Sequence, residues 1–272
     1  MKDLVIIGGG NMGLAIAQGV IEKKIYTKNK VMILEKSIER VNFLKKLKYN
    51  TSSEIVKSIK ENKKVIEIVI IAVKPNDVAE LSKNISDYLG KHSIIISIAA
   101  GISIKTLVSL LGSKQPIARV MPNTPCQVGE GMSVIAFNKK VKKSQREKVF
   151  KIFNSIGKAL ELSEKQFNLA SSINGSGPAY FCFLIECLVK SGVKNGLDYI
   201  TATKLVNQTA KGTISLLLKK NIKPEILRKS VTSPKGITEA ALKVFYKNNF
   251  FNIINMGVKA AKVRANELGK SK

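Results

Sequence analysis

Three glycines near the start of the chain have the spacing of a nucleotide-binding loop. Gly8, Gly10 and Gly13 directly follow the short apolar run Leu4–Ile7, and helical apolar spacing continues after them. In this strand–turn–helix order, Gly8 allows a tight turn, Gly10 lets the backbone approach a pyrophosphate, and Gly13 lets the helix pack closely on the strand. The pattern therefore predicts a dinucleotide site. The contacts expected in this loop are Gly8, Gly10, Asn11, Met12 and Gly13.

The end of the second predicted strand bears on which dinucleotide is bound. Val31–Leu34 is followed by Glu35, Lys36 and Ser37, with Arg40 one turn later. An acid at this place accepts a hydrogen bond from a ribose 2′-hydroxyl and favours NAD, whereas basic and hydroxyl side chains suit the 2′-phosphate of NADP. These residues leave both cofactors open, and we expect Lys36 and Ser37 to contact whichever is bound.

A second candidate site lies near the C-terminus, where residues 231–239 read VTSPKGITE ahead of a predicted helix. Ser and Thr are good N-caps and Pro suits the entry to a helix, so capping alone explains the composition. Free N–H groups and the positive end of the helix dipole also meet there, which favours an anion. Under this second interpretation the donors are the backbone N–H groups of Gly236, Ile237 and Thr238.

The elements that must position these residues alternate between strand and helix in the first half of the chain. Further strands are expected at 65–73, 93–98, 117–121, 132–137 and 159–162, with helices at about 52–61 and 143–155. This alternation predicts an α/β fold whose N-terminal part is a Rossmann-type, doubly wound parallel sheet. Ligands of such sheets lie at the carboxyl ends of the strands, so the loops that follow them should meet in one crevice. The cofactor contacts expected in those loops are Ala72, Val73, Lys74, Pro75, Ala100 and Asn123.

From about residue 163 the apolar spacing becomes helical. Helices are expected at 165–173, 177–193, 198–219, 224–230, 238–247 and 250–268. Side chains such as Phe181, Leu205 and Leu216 give them more apolar surface than a small bundle needs, and such surface usually marks association. We therefore expect a dinucleotide-binding domain at 1–162 and an all-α substrate-binding and dimerisation domain at 163–272.

Composition narrows the class of protein. The 272 residues, 44% of them hydrophobic, suffice for two ordinary domains. No apolar run reaches the about 18–20 residues of a membrane span, and we expect neither a signal peptide nor a membrane location. The three cysteines lack metal-ligand spacing and are expected to be reduced thiols of a cytoplasmic protein. The single histidine, His92, falls at the head of a predicted strand, away from the crevice, and no metal site is expected.

The net charge of +27 raises the alternative of a nucleic-acid-binding protein. Only five of the 46 basic residues are arginine, the residue that nucleic-acid sites favour, and the lysines are spread along the chain. We attribute the excess to compositional drift toward Lys, Ile and Asn, as in an AT-rich genome, and expect no specific nucleic-acid binding. A steep dependence of binding on salt would support the alternative.

Several blocks of the chain resemble the pyrroline-5-carboxylate reductase family. They occur in the family's order, cover almost the whole chain, and read IGGGNMG, AVKP, SIAAGI, RVMPNTP, GSGPAYFCFLIE and VTSPKGITEAAL. The resemblance implies reduction of the ring imine of 1-pyrroline-5-carboxylate to L-proline with NADPH or NADH, the last step of proline biosynthesis. It also implies a homodimer formed through the helical domain, and a decamer assembled from such dimers.

The resemblance assigns roles to the two C-terminal blocks. It implies that Thr238 is catalytic, because its hydroxyl can reach the imine nitrogen, and that Ser176 completes the pocket. A plain N-cap is an equal alternative for Ser176. Ser233, Gly236 and Ile237 are expected to hold the substrate carboxylate together with Thr238.

Three residues depart from the family's pattern. Lys235 stands where the family usually has Gly, Ile237 where it often has Thr or Ala, and Ser53 where Asn is frequent. A related alternative is another hydroxyacid or imine reductase with the same two-domain plan. Hydroxyacid dehydrogenases would be expected to place a Lys and an Asn on the helix that follows the domain boundary. The corresponding stretch here, residues 175–186, has no Lys, and the next one along the chain is Lys190.

Overall fold

The first half of the chain forms a twisted sheet flanked by helices. The computed structural model describes residues 3–270. Along these residues the strands are β1 Leu4–Ile7, β2 Val31–Leu34, β3 Asn50–Ser52, β4 Ile68–Ile71, β5 Ile94–Ser97, β6 Ile117–Met121, β7 Gly131–Phe137 and β8 Gly157–Glu161. The helices are α1 Asn11–Glu22, α2 Ile38–Lys46, α3 Ile55–Asn62, α4 Val78–Ile85, α5 Ile104–Leu111, α6 Lys143–Asn154, α7 Glu164–Asn174, α8 Gly177–Lys194, α9 Tyr199–Lys220, α10 Pro224–Ser230, α11 Ile237–Lys247 and α12 Phe250–Lys270.

The strand order confirms the predicted doubly wound sheet. It runs β3-β2-β1-β4-β5-β6-β7-β8, so the chain moves one way from β1 to β3 and the other way from β4 onward. Neighbouring strands are parallel except β6 and β7, which pair antiparallel. The closing strands β7 and β8 are therefore reversed relative to the rest. The reversal of strand order between β1 and β4 is the place where such sheets bind ligands.

The central strands β1 and β4 are buried on both faces of the sheet, which explains why they read as continuous apolar runs. Leu4 and Ile6 belong to the core on one face, whereas Val5 and Ile7 belong to the core on the other. This division follows from the alternation of side chains along a strand. The continuous run LVII at β1 therefore fixes the strand between two helical layers.

Two of the differences from the predicted element boundaries are explained by backbone hydrogen bonds. The expected strand at 65–73 is paired only at Ile68–Ile71, because the N–H groups of Val65 and Ile66 donate to the carbonyl oxygen of Asn62 at 2.9 and 3.1 Å. The expected helix at 52–61 begins later, at Ile55, because Asn50–Ser52 pairs with β2 as an edge strand.

The chain divides into two compact units whose border lies after the predicted one. The first unit contains the residues as far as Ser176 together with those from Ala261 onward, and the second is Gly177–Ala260. Helix α7 belongs to the first unit because Phe167, 2% exposed, packs with Val134 and Ala136 of β7. The functional division at 162/163 stays a prediction.

The second unit consists of helices with few buried apolar side chains. Within it, α8 packs on α9, and Val189 and Ala202 are its buried hydrophobic residues. Phe183 is 66% exposed and Phe251 is 79% exposed. The unit therefore carries apolar surface that this chain leaves uncovered, which is typical of an association surface. None of the helices within residues 3–270 has the length and apolar content that crossing a membrane requires.

Candidate active site

The turn after β1 needs two of its glycines for the fold and leaves the third free. Gly8 has a φ of +111°, and a Cβ on it would lie 2.4 Å from the carbonyl oxygen of Ala72. A Cβ on Gly13 would lie 2.0 Å from the carbonyl oxygen of Gly8, so only glycine lets α1 approach β1 this closely. These are the roles predicted for Gly8 and Gly13. A Cβ on Gly10 would meet no atom within 4 Å, which leaves open space beside the loop.

Helix α1 begins without a side-chain cap. Gly10 is its N-cap residue and offers no side chain, while the N–H of Leu14 donates to the carbonyl oxygen of Gly10 at 2.9 Å. Within the described residues, the N–H groups of Asn11, Met12 and Gly13 have no acceptor. Three free donors at the positive end of a helix suit an anion. Together with the space beside Gly10, they fit the pyrophosphate of a dinucleotide.

Gly9, between two glycines of the motif, is held by side chains from the turn after β2 and from the first turn of α2. Glu35 accepts the N–H of Gly9 at 2.8 Å with one carboxylate oxygen and the N–H of Ser37 at 2.9 Å with the other. Arg40 Nε donates to the carbonyl oxygen of Gly9 at 2.6 Å, and its guanidinium lies 4.5 Å from the centre of the Phe43 ring. Sequence reasoning missed Gly9, because it occupies a position that the motif leaves unspecified.

Lys36 and Ser37, the predicted contacts at the 2′ position, both have partners within the chain. Lys36 Nζ lies 3.1 Å from Asp77 Oδ2, and its side chain is 76% exposed. Ser37 is the N-cap of α2, where its hydroxyl accepts the N–H of Arg40 at 3.3 Å. Asp77 follows β4, so the ion pair joins the loops after β2 and β4. An anion bound here would compete with Asp77 for Lys36.

The loops after β4 and β5 lie at the same end of the sheet as the glycine loop. The N–H of Ala72 donates to the carbonyl oxygen of Ile7 at 2.7 Å, so the predicted contacts Ala72–Pro75 adjoin the turn after β1. Ala100 is half-buried next to Gly101, which has a φ of +75°. A Cβ on Gly101 would lie 2.8 Å from the Cβ of Leu268, so the end of α12 covers this turn.

Asn123, the predicted contact after β6, uses its side chain within the fold. Its Nδ2 donates to the carbonyl oxygen of Asn174 at 3.1 Å, and its Oδ1 accepts the N–H of Met132 at 2.8 Å. Asn174 Nδ2 in turn donates to the carbonyl oxygens of Met121 and Met132 at 2.8 and 3.0 Å. This pair of amides ties the end of β6 to the end of α7, so a cofactor contact from Asn123 would come from its backbone.

The turn before α11 is closed without a side-chain cap. The N–H of Gly236 donates to the carbonyl oxygen of Ser233 at 3.0 Å, and Lys235 has a φ of +59°, which places a lysine where a turn of this kind favours glycine. Gly236 is the N-cap residue and makes no side-chain cap, and among the described residues neither the Ser233 nor the Thr238 hydroxyl accepts an N–H of this helix. A Cβ on Gly236 would lie 2.5 Å from the Ser233 hydroxyl oxygen and 3.0 Å from its carbonyl oxygen, so the turn is tightly packed at this position.

The free donors at this turn differ from those predicted. The N–H of Gly236 is engaged with Ser233 and is therefore not available, because it closes the turn. In the part of the chain that the structure describes, the N–H groups of Ile237, Thr238 and Glu239 have no acceptor. The hydroxyls of Ser233 and Thr238 therefore do not support the capping interpretation. The three free backbone N–H groups support the interpretation of this turn as an anion site.

Glu239 stabilises the turn from inside the helix. Its carboxylate accepts the N–H of Lys235 at 2.9 Å and lies 3.2 Å from Lys243 Nζ. Lys243 first, and then the N–H of Lys235, hold the pKa of Glu239 below its usual value. The carboxylate therefore stays charged beside the helix N-terminus, where the helix dipole favours an anion.

Ser176 stands directly before α8, at the border of the two compact units. Its N–H donates to the carbonyl oxygen of Ser171 at 3.3 Å, and its side chain is half-buried. The structure thus gathers the predicted cofactor contacts in the first unit, which ends at Ser176, and the predicted substrate turn in the second. The catalytic roles of Ser176 and Thr238 stay predictions.

Comparisons with known proteins extend over both halves of the chain. The family model described as pyrroline-5-carboxylate reductase dimerisation matches residues 164–268, and the one described as NADP oxidoreductase, coenzyme F420-dependent, matches residues 3–101. The pyrroline-5-carboxylate reductase of Synechocystis sp. is 35% identical over 268 residues, covering 98% of each chain. The crystal structure of Plasmodium falciparum pyrroline carboxylate reductase with NADP bound has a TM-score of 0.88 at 34% identity, covering 99% of this chain and 98% of that one. A Coxiella burnetii pyrroline-5-carboxylate reductase structure has a TM-score of 0.91 at 31% identity, covering 99% of both.

The doubly wound sheet, the uncapped glycine loop and the match to an NADP oxidoreductase model define a nicotinamide-dinucleotide-dependent oxidoreductase. Identity above 30% along nearly the whole length narrows the class further. The chain belongs to the pyrroline-5-carboxylate reductase family.

Proposed function

We propose that this chain reduces 1-pyrroline-5-carboxylate to L-proline with NADPH or NADH, the last step of proline biosynthesis. The observation that carries the proposal is the likeness to reductases of this name along the full length, such as 35% identity over 98% of the Synechocystis protein. The glycine loop, with its free donors and open space, supports the use of a dinucleotide.

The first unit binds and orients the cofactor. A bound nicotinamide dinucleotide supplies a hydride from C4 of its ring. The N–H groups of Asn11, Met12 and Gly13 hold the pyrophosphate, and the missing side chain of Gly10 lets it come close. The small side chain of Ala100 and the turn Ala72–Pro75 leave room for a flat ring at the carboxyl end of the sheet.

The turn before α11 binds the substrate. The N–H groups of Ile237 and Thr238 donate hydrogen bonds to the substrate carboxylate, while Ser233 and Gly236 form the compact turn that exposes them. The Thr238 hydroxyl hydrogen-bonds the ring nitrogen and orients the imine, and Ser176 supplies a second hydroxyl. A protonated ring imine is already electrophilic, so this chemistry asks for no metal.

Residues after β2 and β6 complete the cofactor site. Lys36 and Ser37 face the adenosine 2′ position, where they suit a phosphate as well as a hydroxyl. Asn123 contributes through its backbone, because its amide is engaged within the fold. Both NADPH and NADH are therefore proposed as cofactors.

The proposed assembly is a homodimer formed through residues 163–272, with residues 1–162 as the dinucleotide-binding domain. The match to a dimerisation model and the exposed apolar side chains of α8 and α9 support it. We propose further that the dimers form a decamer and that the enzyme is cytoplasmic. Specific nucleic-acid binding is not part of the proposal, since the basic residues are mostly dispersed lysines.

The proposal is tested by mixing the purified chain with 1-pyrroline-5-carboxylate and either NADPH or NADH. We expect loss of nicotinamide absorbance that depends on the substrate and equals the L-proline formed. Absence of proline with both cofactors, in a folded sample that binds dinucleotide, would contradict the substrate assignment. Failure to bind either dinucleotide would contradict the cofactor assignment.

A further inference from the structure

Both backbone groups of Gly9, its N–H and its carbonyl oxygen, are hydrogen-bonded by side chains from a distant part of the chain. Its N–H donates to Glu35 at 2.8 Å and its carbonyl oxygen accepts from Arg40 at 2.6 Å, across sequence separations of 26 and 31 residues. A buried or half-buried peptide needs partners for both groups. Here they come from side chains rather than from the loop itself. We call the contacts of Glu35 and Arg40 with Gly9 the Gly9 clasp.

The clasp is itself held in place. The second oxygen of Glu35 accepts the N–H of Ser37 at 2.9 Å, which fixes the carboxylate, and the Arg40 guanidinium stacks on Phe43. Gly9 also fits tightly, because a Cβ on it would lie 2.7 Å from Leu44 Cδ1. The loop therefore has one defined conformation at its middle residue.

Gly9 lies between the two residues whose geometry matters most for a ligand. On one side Gly8 turns the chain at a φ of +111°, and on the other Gly10 borders the open space at the start of α1. A glycine-rich segment has high conformational freedom, and ordering it on binding costs affinity. Contacts that fix the Gly9 peptide beforehand reduce that cost.

We infer that Glu35 and Arg40 are positioning residues that hold the glycine loop ready for a dinucleotide, whether or not it carries a 2′-phosphate. The inference rests on the proposed use of NADPH or NADH. It gives Glu35 a different role from the one that an acid after β2 ordinarily has, since both of its oxygens accept backbone N–H groups. Glu35 is then not the residue that selects between the two cofactors.

The substitutions Glu35→Gln and Arg40→Lys test the clasp in the full chain. A glutamine side chain has one oxygen that accepts hydrogen bonds, and its amide nitrogen cannot accept one. One of the two backbone N–H groups that donate to Glu35 would therefore lose its acceptor. A lysine at position 40 keeps the positive charge. It has no planar guanidinium to stack on Phe43 while it donates to the Gly9 carbonyl oxygen. Isothermal titration with NADH and with NADPH measures the dissociation constants, and Glu54→Gln, whose partner is the exposed Lys57, is the matched control.

We expect each substitution to weaken NADH and NADPH binding alike, by about tenfold, the size of one charge-assisted hydrogen bond. The double variant should lose less than the product of the single effects, because both side chains hold the same residue, Gly9. At saturating cofactor, kcat and the KM for the imine should stay near the values of the unsubstituted chain. Hydrogen exchange without nucleotide should speed up in the peptide that covers residues 8–13, and outside it only around Ser37, whose N–H also donates to Glu35.

Other outcomes would overturn the clasp. A loss confined to NADH after Glu35→Gln would make Glu35 a reader of the ribose hydroxyl, and a loss confined to NADPH after Arg40→Lys would make Arg40 a reader of the phosphate. Unchanged affinity or unchanged exchange in the loop would also contradict it. If the unsubstituted chain bound neither dinucleotide, the proposed function itself would fail, so the two failures are distinguishable.

Discussion

The three glycines of the nucleotide-binding motif have different structural roles. Gly8 and Gly13 are fixed by close contacts, since a Cβ on either would lie within 2.4 Å of a carbonyl oxygen. Gly10 has a φ of −66° and open space around its Cα, so the fold does not require a glycine at that position. A ligand that approaches the backbone at this position would require a glycine.

Gly10→Val should therefore separate binding from folding. We expect a melting temperature close to that of the unsubstituted chain and a loss of NAD(P)H binding, because the branched side chain fills the space beside the free N–H groups. Gly13→Ala is the matched control and should destabilise the fold, since its Cβ would meet the Gly8 carbonyl oxygen at 2.0 Å. Thermal unfolding and titration with NADPH measure both quantities. Unchanged nucleotide affinity in Gly10→Val would refute the dinucleotide site.

Thr238 is the residue on which the proposed chemistry depends most. Thr238→Ala removes the hydroxyl but keeps the backbone N–H groups, so the carboxylate should still bind. Loss of one hydrogen bond in the transition state costs about 1–3 kcal/mol, which lowers kcat/KM roughly 5- to 150-fold. Stability should change by less than about 0.5 kcal/mol, because Gly236 and not Thr238 occupies the N-cap position.

Steady-state kinetics and urea unfolding of the same Thr238→Ala variant decide between catalysis and capping. A side-chain cap would be worth about 0.5–2 kcal/mol of stability and would leave turnover intact. Thr232→Ala serves as the control, because the Thr232 hydroxyl donates to the carbonyl oxygen of Arg228 at 2.6 Å. Normal kcat/KM together with lower stability in Thr238→Ala would show that residues 231–239 only begin a helix and do not take part in catalysis.

At the scale of elements, hydrophobic patterning predicts most of the fold. The strands at Leu4–Ile7, Val31–Leu34 and Ile117–Met121 match their predicted bounds, because the first two are continuous apolar runs and the third is apolar except for Arg119. The long helices α8 and α9 match within one residue, since their apolar spacing is sustained over several turns.

What patterning does not predict depends on contacts between distant residues. β3, with the sequence NTS, has no apolar signal and exists because it pairs with β2. The antiparallel placement of β7 is a property of the connection from β6 rather than of either strand's sequence. Likewise, the Gly9 clasp and the amide pair of Asn123 and Asn174 are side-chain contacts to backbone groups far along the chain, which no local spacing reveals.

A largely buried ion pair is one of the contacts that attach α7 to the sheet. Arg119 on β6 is 4% exposed, and its Nη1 lies 2.9 Å from Glu164, which also accepts the N–H of Ile104 at 3.0 Å. Burial lowers the pKa of Arg119, whereas Glu164 opposes that shift. Removing Glu164 would leave a buried guanidinium without its counter-charge.

We expect Glu164→Ala to lower the free energy of unfolding by about 2–3 kcal/mol, somewhat less than for a fully buried pair because Glu164 is partly exposed. Glu54→Ala, which breaks the exposed pair with Lys57, is the control and should cost less than about 1 kcal/mol. Urea unfolding followed by circular dichroism measures both. Equal effects in the two variants would show that this ion pair does not hold α7 to the sheet.

At the scale of the whole molecule, the exposed apolar side chains of the helical unit indicate an interface with a second copy of the chain. Leu184 on α8 is 44% exposed and lines an apolar groove with Phe181, Leu188 and Leu205. Leu184→Glu places a charge in that groove, and burying it in an interface would carry a desolvation cost. The proposed dimer should therefore dissociate.

Light scattering coupled to size exclusion measures this prediction. The unsubstituted chain should have a mass of at least twice the 29.8 kDa of one chain, and Leu184→Glu should move toward 29.8 kDa. Ile38→Glu, at a 60% exposed position on α2, is the control and should keep the oligomer. A monomeric unsubstituted chain, or an unchanged mass in Leu184→Glu, would contradict an interface on α8.

The proposed reaction moves a hydride from a nicotinamide cofactor to the ring imine carbon of 1-pyrroline-5-carboxylate. Its most direct test is a reaction run with NADPH or NADH that carries deuterium on the transferred face of C4, followed by mass spectrometry and NMR of the product. We predict L-proline with one deuterium at the former imine carbon, C5, and none formed by Gly10→Val. Cofactor oxidation without proline, or proline that carries no deuterium at C5, would contradict the account.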